Sequence, residues 1–164
     1  MPIISSDIKY RLSGGSANAD PLLSIGGVAS SVDAAATIFD DVSSAEAVAG
    51  DTEYRCVYVR NTHATLTMLG TKIWVQTQTP SADTAVEVAL GSSAVSGTET
   101  GVANENTAPS GPTFSSPTNE AGGLTIGDLA PAAHKAVWFK RIVTAGAASA
   151  SDSFTIRVKC DTNP

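Results

Sequence analysis

The residues that could do chemistry are few, and their spacing does not bring them together. His63 and His134 are the only two histidines of the chain. They are far apart and lack the H-x-x-x-H spacing that sets two metal ligands on one helix face. His63 falls in Asn61-Thr62-His63-Ala64 and His134 follows Ala130-Pro131. Each therefore reads as a solvent-exposed turn residue rather than a ligand or general base. Serines are abundant, but Gly91-Ser92-Ser93-Ala94-Val95 lacks the last glycine of a G-x-S-x-G elbow. There is no G-x-G-x-x-G and no P-loop, and Gly122-Gly123 reads as a turn. Cys56 and Cys160 each fall within an expected strand. They read as buried free thiols packing like small hydrophobes, with a disulfide between them as the alternative. No catalytic, cofactor-binding or metal-ligating residue is assigned, no cofactor is expected, and an enzyme is not expected.

Carboxylates and aromatics offer two further possibilities. Asp33, Asp40, Asp41, Glu46, Asp51 and Glu53 fall in a stretch with no basic residue between Arg11 and Arg55. A flexible acidic loop suits calcium, yet the D-x-[DN]-x-[DN]-G pattern is missing. A solvated acidic face is the plainer expectation, or an acidic patch that meets the basic end of a neighbouring copy. Trp74 and Trp138 could stack on a sugar, but apolar neighbours on both sides favour a core or interface role. Tyr54 and Tyr58, two apart on one strand face, carry the same ambiguity.

Composition narrows the class. The net charge of the 164-residue chain is −6, which disfavours nucleic acid and acidic membrane surfaces, since both demand clustered Lys and Arg. Charge is also lopsided. Five basic and two acidic residues lie from Lys135 onward (net +3), against five basic and fourteen acidic before it (net −9). No apolar run approaches the roughly 20 residues that span a bilayer, and Met1–Leu12 has neither a basic n-region nor an apolar h-region. Apolar residues make up 42% but aromatics only 5%, so a modest core rich in small side chains is expected in one domain.

The elements that would position these residues are strands. Ile8, Tyr10 and Leu12 alternate with Asp7, Lys9 and Arg11, a half-buried strand broken by Gly14-Gly15. Residues 13–31 are rich in Gly, Ser, Asn, Asp and Pro, and read as a long irregular segment, either a functional loop or an arm that needs a partner. Ser43-Ser44-Ala45-Glu46 matches a capping box, with Gly50 to end a short helix. Asp51 to Gln76 reads as a central β-hairpin: Tyr54, Cys56 and Tyr58 on one face, Arg55, Val57 and Val59 on the other, a turn at 61–64, then a return strand. The apolar phase of that strand shifts at Leu69-Gly70, which suggests a β-bulge. Further strands are expected at Val86–Leu90, Leu124–Leu129, Ala136–Val143 and from Phe154 to Asp161, with a small-residue loop over 145–152. In the last strand Phe154, Ile156, Val158 and Cys160 point inward.

The blocks FDDVSSAEAVAGDTEYRCVYVRNTHATLTMLGTKIWV, GTETGVANENTAPSGPTFSSP and GDLAPAAHKAVWFKRIV resemble small structural proteins of tailed bacteriophages, over roughly Ile8 to Cys160. EYRCVYVRNT and the Leu-x-Pro turn leading into AVWF also look like strands of immunoglobulin-like sandwiches. The resemblance implies an all-β chain of seven to nine strands. It would be an immunoglobulin-like antiparallel β-sandwich over 32–164, preceded by an N-terminal strand and arm over 1–31. It further implies a non-enzymatic virion protein made in the host cytoplasm and present in many copies. Its partners would be major capsid or tail proteins and further copies of itself. A capsid decoration or minor head protein comes first, a tail or baseplate component second, a carbohydrate-binding or adhesion module third.

Overall fold

A computed structural model describes residues 2–146 and 152–162 of the chain. The strands are β1 (Ile8–Leu12), β2 (Asp51–Asn61), β3 (Met68–Thr77), β4 (Thr84–Leu90), β5 (Leu124–Leu129), β6 (His134–Val143) and β7 (Thr155–Thr162). They form two antiparallel sheets, one ordered β1-β2-β6-β4 and the other β5-β3-β7. The chain is all-β, as its alternation indicated. Most of the small-residue loop expected over 145–152 lies outside the described residues.

β2 organises the molecule, but not as half of a hairpin. Its two edges are taken by β1 and β6, with Tyr10 opposite Val59 and Cys56 opposite Trp138. The following strand therefore cannot pair with it, and β3 crosses into the other sheet. The crossing is fixed by side chains. Asn61 Nδ2 donates to the carbonyls of Leu66 and Leu129, both at 2.8 Å. His63 Nδ1 accepts from the Thr65 and Leu66 amides at 3.1 and 2.9 Å. β2 is buried on both faces along most of its length, which is why Tyr/Cys/Tyr and Val/Val alternate without a solvent-facing side.

The two faces serve different clusters. Val57 and Val59 join Val86, Val88, Val137 and Phe139 from their own sheet and Met68, Ile73, Val75, Ile126 and Leu129 from the other. This inter-sheet core is mostly aliphatic, each side chain contributing about 1.5–3 kcal/mol by leaving water. Tyr54, Cys56 and Tyr58 lie on the outer face with Ala89, Ala136 and Trp138, under Ala29, Val102 and Phe114. Loops thus form a third layer over the four-stranded sheet.

That layer includes the segment expected to project as an arm. Residues 13–31 fold back: Ser13 Oγ and Ser24 Oγ donate to the Cys56 carbonyl at 2.8 and 2.6 Å, and the Cys56 amide donates to the Ser24 carbonyl at 2.7 Å. Both serines are fully buried. Their hydroxyls are short enough to approach a strand and satisfy its backbone, so the serine-rich composition binds this segment to its own sheet.

Smaller expectations hold. The capping box is present at α1 (Ser44–Ala49), with Ser43 Oγ accepting from the Glu46 amide and the Glu46 carboxylate accepting from the Ser43 amide. Gly50, at φ +76°, ends it. The register of β3 shifts between Met68 and Thr71 around Gly70 at φ +55°, the anticipated bulge.

Candidate functional site

Two polar constellations stand out, and both centre on groups that a β-sheet would normally keep in water. The first closes one end of the inter-sheet core. Arg55 on β2 shares a strand face with Val57 and Val59, and its side chain is fully buried. Its guanidinium meets Glu105 Oε2 at 2.5 Å and Asp40 Oδ1 at 3.7 Å, and its Nε donates to the Ile38 carbonyl at 3.1 Å. Arg141 on β6 lies directly opposite Glu53. It contacts Glu53 Oε2 and the Asp40 carbonyl, and reaches Asp40 Oδ1 at 3.3 Å. Phe39 lies beneath both cations, its ring centroid 5.5 Å from Arg55 Cζ and 5.0 Å from Arg141 Cζ.

Glu53 is the strained member. It is buried, and neither carboxylate oxygen has an aligned hydrogen bond. Burial pushes its pKa up to about 7; Arg141 and Arg55 pull it down while Asp40 and Glu105 push it further up. Oxygens of Asp40, Glu53 and Glu105 come within 4.8 Å of one another, close enough to share a cation. Arg55 and Arg141 already supply positive charge among them, so the arrangement behaves as an ionic clamp joining the 38–41 and 105 loops to the sheet.

The second constellation pins the outer loops. Glu99 is 3% exposed. Its two oxygens accept from the Ser92 and Ser93 amides at 3.0 and 2.8 Å, with Trp138 Nε1 at 3.4 Å. Its own amide donates to Tyr58 Oη at 2.8 Å, and that hydroxyl donates to the Gly27 carbonyl at 2.6 Å. The Gly27 amide completes the circuit on the Glu99 carbonyl at 2.9 Å. Burial alone would raise the Glu99 pKa; the hydrogen bonds from Ser93, Ser92 and Trp138 outweigh it and hold the carboxyl below its usual range. One glutamate thereby fastens two loops to each other and to two strands.

The residues singled out from sequence are placed as follows. His63 is the half-buried cap of the β2–β3 crossing, and His134 is the first residue of β6 rather than part of a turn. The His134 ring meets Tyr58 edge-on at 4.9 Å, and burial lowers its pKa. Neither is the exposed turn residue that was expected. Cys56 and Cys160 are free thiols in different sheets, and burial raises the pKa of both. Trp74 and Trp138 are 6% and 0% exposed, so neither offers a ring face to a sugar. Tyr54 packs against Phe114 with centroids 5.5 Å apart and rings tilted by 60°, and Tyr58 is consumed by the Glu99 circuit.

The acidic stretch is solvated at Asp33, Asp40 and Asp41, as expected of an acidic face, but several of its carboxylates also have partners within the chain. Asp33 pairs with Arg11 at 3.0 Å and Lys9 at 3.5 Å, Asp40 with Arg55 and Arg141, and Asp51 Oδ1 accepts from Asn106 Nδ2 at 2.7 Å. Long-range folding brings cations to carboxylates that have none nearby in sequence. Glu99 and Glu105 carried no sequence signal: Glu105 meets Arg55 only through the fold, and Glu99, beyond the nearby Ser92 and Ser93 amides, which any residue type supplies, meets Tyr58 and Trp138 only through the fold. Arg55 did, as a charge among valines on a strand face. Comparisons of the chain with protein-family models, curated proteins and solved structures found no match.

Proposed function

We propose that this protein is a non-enzymatic structural component of a tailed-bacteriophage virion, a capsid decoration or minor head protein that binds the shell through repeated weak contacts. Support comes from the resemblance of its three sequence blocks to such proteins, and from one observation on the molecule. The polar side chains best suited to chemistry, Glu99, Tyr58, Arg55 and Glu53, are spent on fastening loops to sheets. That investment fastens the outer loops to the sheet in the native state, so many copies can present the same surface to a shell and share the binding.

The strand order matches an immunoglobulin-like sandwich in part. Reading β1, β2, β6 and β4 as strands A, B, E and D sets β3 and β7 in the places of C and F; β5 lies on the far edge of C but follows β4 in the chain, where a C′ strand would precede D. The place of strand G, beyond β7, is not filled by any described strand.

Cryo-electron microscopy of purified particles tests the proposal. Density for the domain at regular capsid positions is the expected result. Density confined to the tail overturns the head assignment in favour of a tail or baseplate component, and absence from the particle overturns the virion role. A carbohydrate-binding role is disfavoured by the burial of Trp74 and Trp138.

A further inference from the structure

Four strand edges border the two sheets, and they are finished differently. Beside β1, the chain returns: the Leu12 amide donates to the Val32 carbonyl at 3.1 Å, and the Ala34 amide to the Tyr10 carbonyl at 2.7 Å. Beside β4, the Gln78 side chain bonds the Val86 amide and carbonyl at 3.0 and 2.6 Å, and Ser115 exchanges two backbone bonds with Val88. β5 is short, and Gly127 at φ +90° breaks its regularity. β7 has eight residues and pairs only with β3; among the described residues no backbone group bonds its outer side. An apolar cleft of about 250 Å³ opens beside it, lined by Phe154, Ile156, Tyr10, Ile38 and Phe139. The inward residues of β7 are only half-buried for the same reason.

Exposed edges are commonly blunted by lysine or arginine standing over them. Here both cations of β7 lean the other way. Lys159 Nζ is held by both Glu120 oxygens at 2.8 Å, and Arg157 Nη1 reaches Gln76 Oε1 on β3 at 3.4 Å. A long regular edge is thus left open to another strand.

We propose that this edge binds the same edge of a second copy, β7 against β7 in antiparallel register, making one six-stranded sheet from two three-stranded ones. Charge and length of overlap select the register. Centring the twofold on Val158 sets Arg157 opposite the other copy's Lys159, centring it on Arg157 sets like charges face to face, and centring it on Cys160 sets Lys159 opposite Asp161 but aligns only residues 158–162. Centring it on Lys159 aligns residues 156–162 of both copies and sets each Arg157 opposite an Asp161, an exposed carboxylate with no salt bridge among the described residues. The two central Lys159 amines then face each other across the axis, but each brings its own Glu120 carboxylate at 2.8 Å, an offset to their repulsion that two facing Arg157 side chains would lack. Such an interface is isologous and closes on itself, so both open edges are satisfied at once. It deepens the multi-copy proposal by naming one contact, yet it is measurable on the isolated protein without any particle.

The test is sedimentation equilibrium of the full chain and of three variants. The unaltered protein is expected to dimerise. Arg157→Asp and Asp161→Arg each place like charges opposite one another twice, and each is expected to weaken dimerisation on the order of tenfold or more. The combined swap restores opposite charges and is expected to recover the dimer. All three change exposed side chains, so circular dichroism should report an unchanged fold. A protein that stays monomeric up to high concentration overturns the inference, as does a dimer that neither single change weakens or that the swap fails to rescue. Capsid binding by a strictly monomeric protein would overturn this contact alone, whereas a dimer absent from particles would overturn only the virion role.

Discussion

Glu53→Gln is the most informative single substitution. With Glu53 ionised, Asp40, Glu53 and Glu105 carry three negative charges against the two guanidiniums of Arg55 and Arg141; with it protonated, the charges balance. Its pKa rises from 4.5 to about 7 on folding, chiefly because burial disfavours the charged form. A carboxyl whose folded pKa is raised stabilises the fold fully below its unfolded pKa and loses that contribution as pH climbs through the folded value. Between pH 4.5 and about 7 the loss amounts to about 3 kcal/mol, taking 1.36 kcal/mol per pKa unit. Gln cannot ionise, so Glu53→Gln removes this dependence and keeps an oxygen for Arg141. Urea unfolding at pH 4.5, 6 and 8 measures it, since the difference between the two proteins cancels every titrating group outside this cluster. The variant should gain on the unaltered protein by up to about 3 kcal/mol as pH rises through this window. A difference that stays flat, or that moves in favour of Glu53 with rising pH, would refute the dominance of burial over the Arg141 contact.

Three further outcomes are expected. Glu99→Gln should cost about 1–3 kcal/mol at pH 7, because an amide cannot accept from both serine amides. The sign of its pH dependence is opposite: a carboxyl held low stabilises above its unfolded pKa and loses this as pH falls, so the gap between variant and parent in urea unfolding should narrow on acidification. Gly26→Ala should destabilise by more than about 1 kcal/mol in thermal melts, because Gly26 sits at φ +98° and a Cβ there would lie 2.6 Å from Gly101 Cα and from the Thr100 carbonyl oxygen. Native protein treated with a maleimide should be modified at Cys160 and not at the fully buried Cys56, with mass spectrometry reading the site.

Local features were legible in the sequence wherever neighbours in the chain are neighbours in space. The capping box at Ser43, the bulge at Gly70 and the alternation of β7 are all short-range patterns, and each folds as its residues suggest. Topology was harder. A turn such as Asn61-Thr62-His63-Ala64 accommodates a hairpin or a crossing equally well, and only the occupation of both β2 edges decides between them. The loops were misjudged for a related reason. Serine and glycine predict an irregular path but not where that path is anchored, and Ser13 and Ser24 find their acceptor at Cys56, far along the chain. Of the candidate sites, the clamp was half visible through Arg55 on a valine face, whereas the Glu99 circuit combines backbone amides of Ser92 and Ser93, which leave no mark in residue type, with Tyr58, Gly27 and Trp138 far along the chain.

The third layer of loops also sets an order of events. Its anchors join residues 13 and 24 to 56, and 27 and 99 to 58, so none can form until β2 has been laid between its neighbours. Contacts of such long sequence separation are slow to close, and the loops should dock late on the folding path. The same reasoning run backward makes them the first part to lift. Amide exchange should report an opening that releases 13–31 and 91–102 while both sheets stay intact, a protein that loosens its cover well before it unfolds.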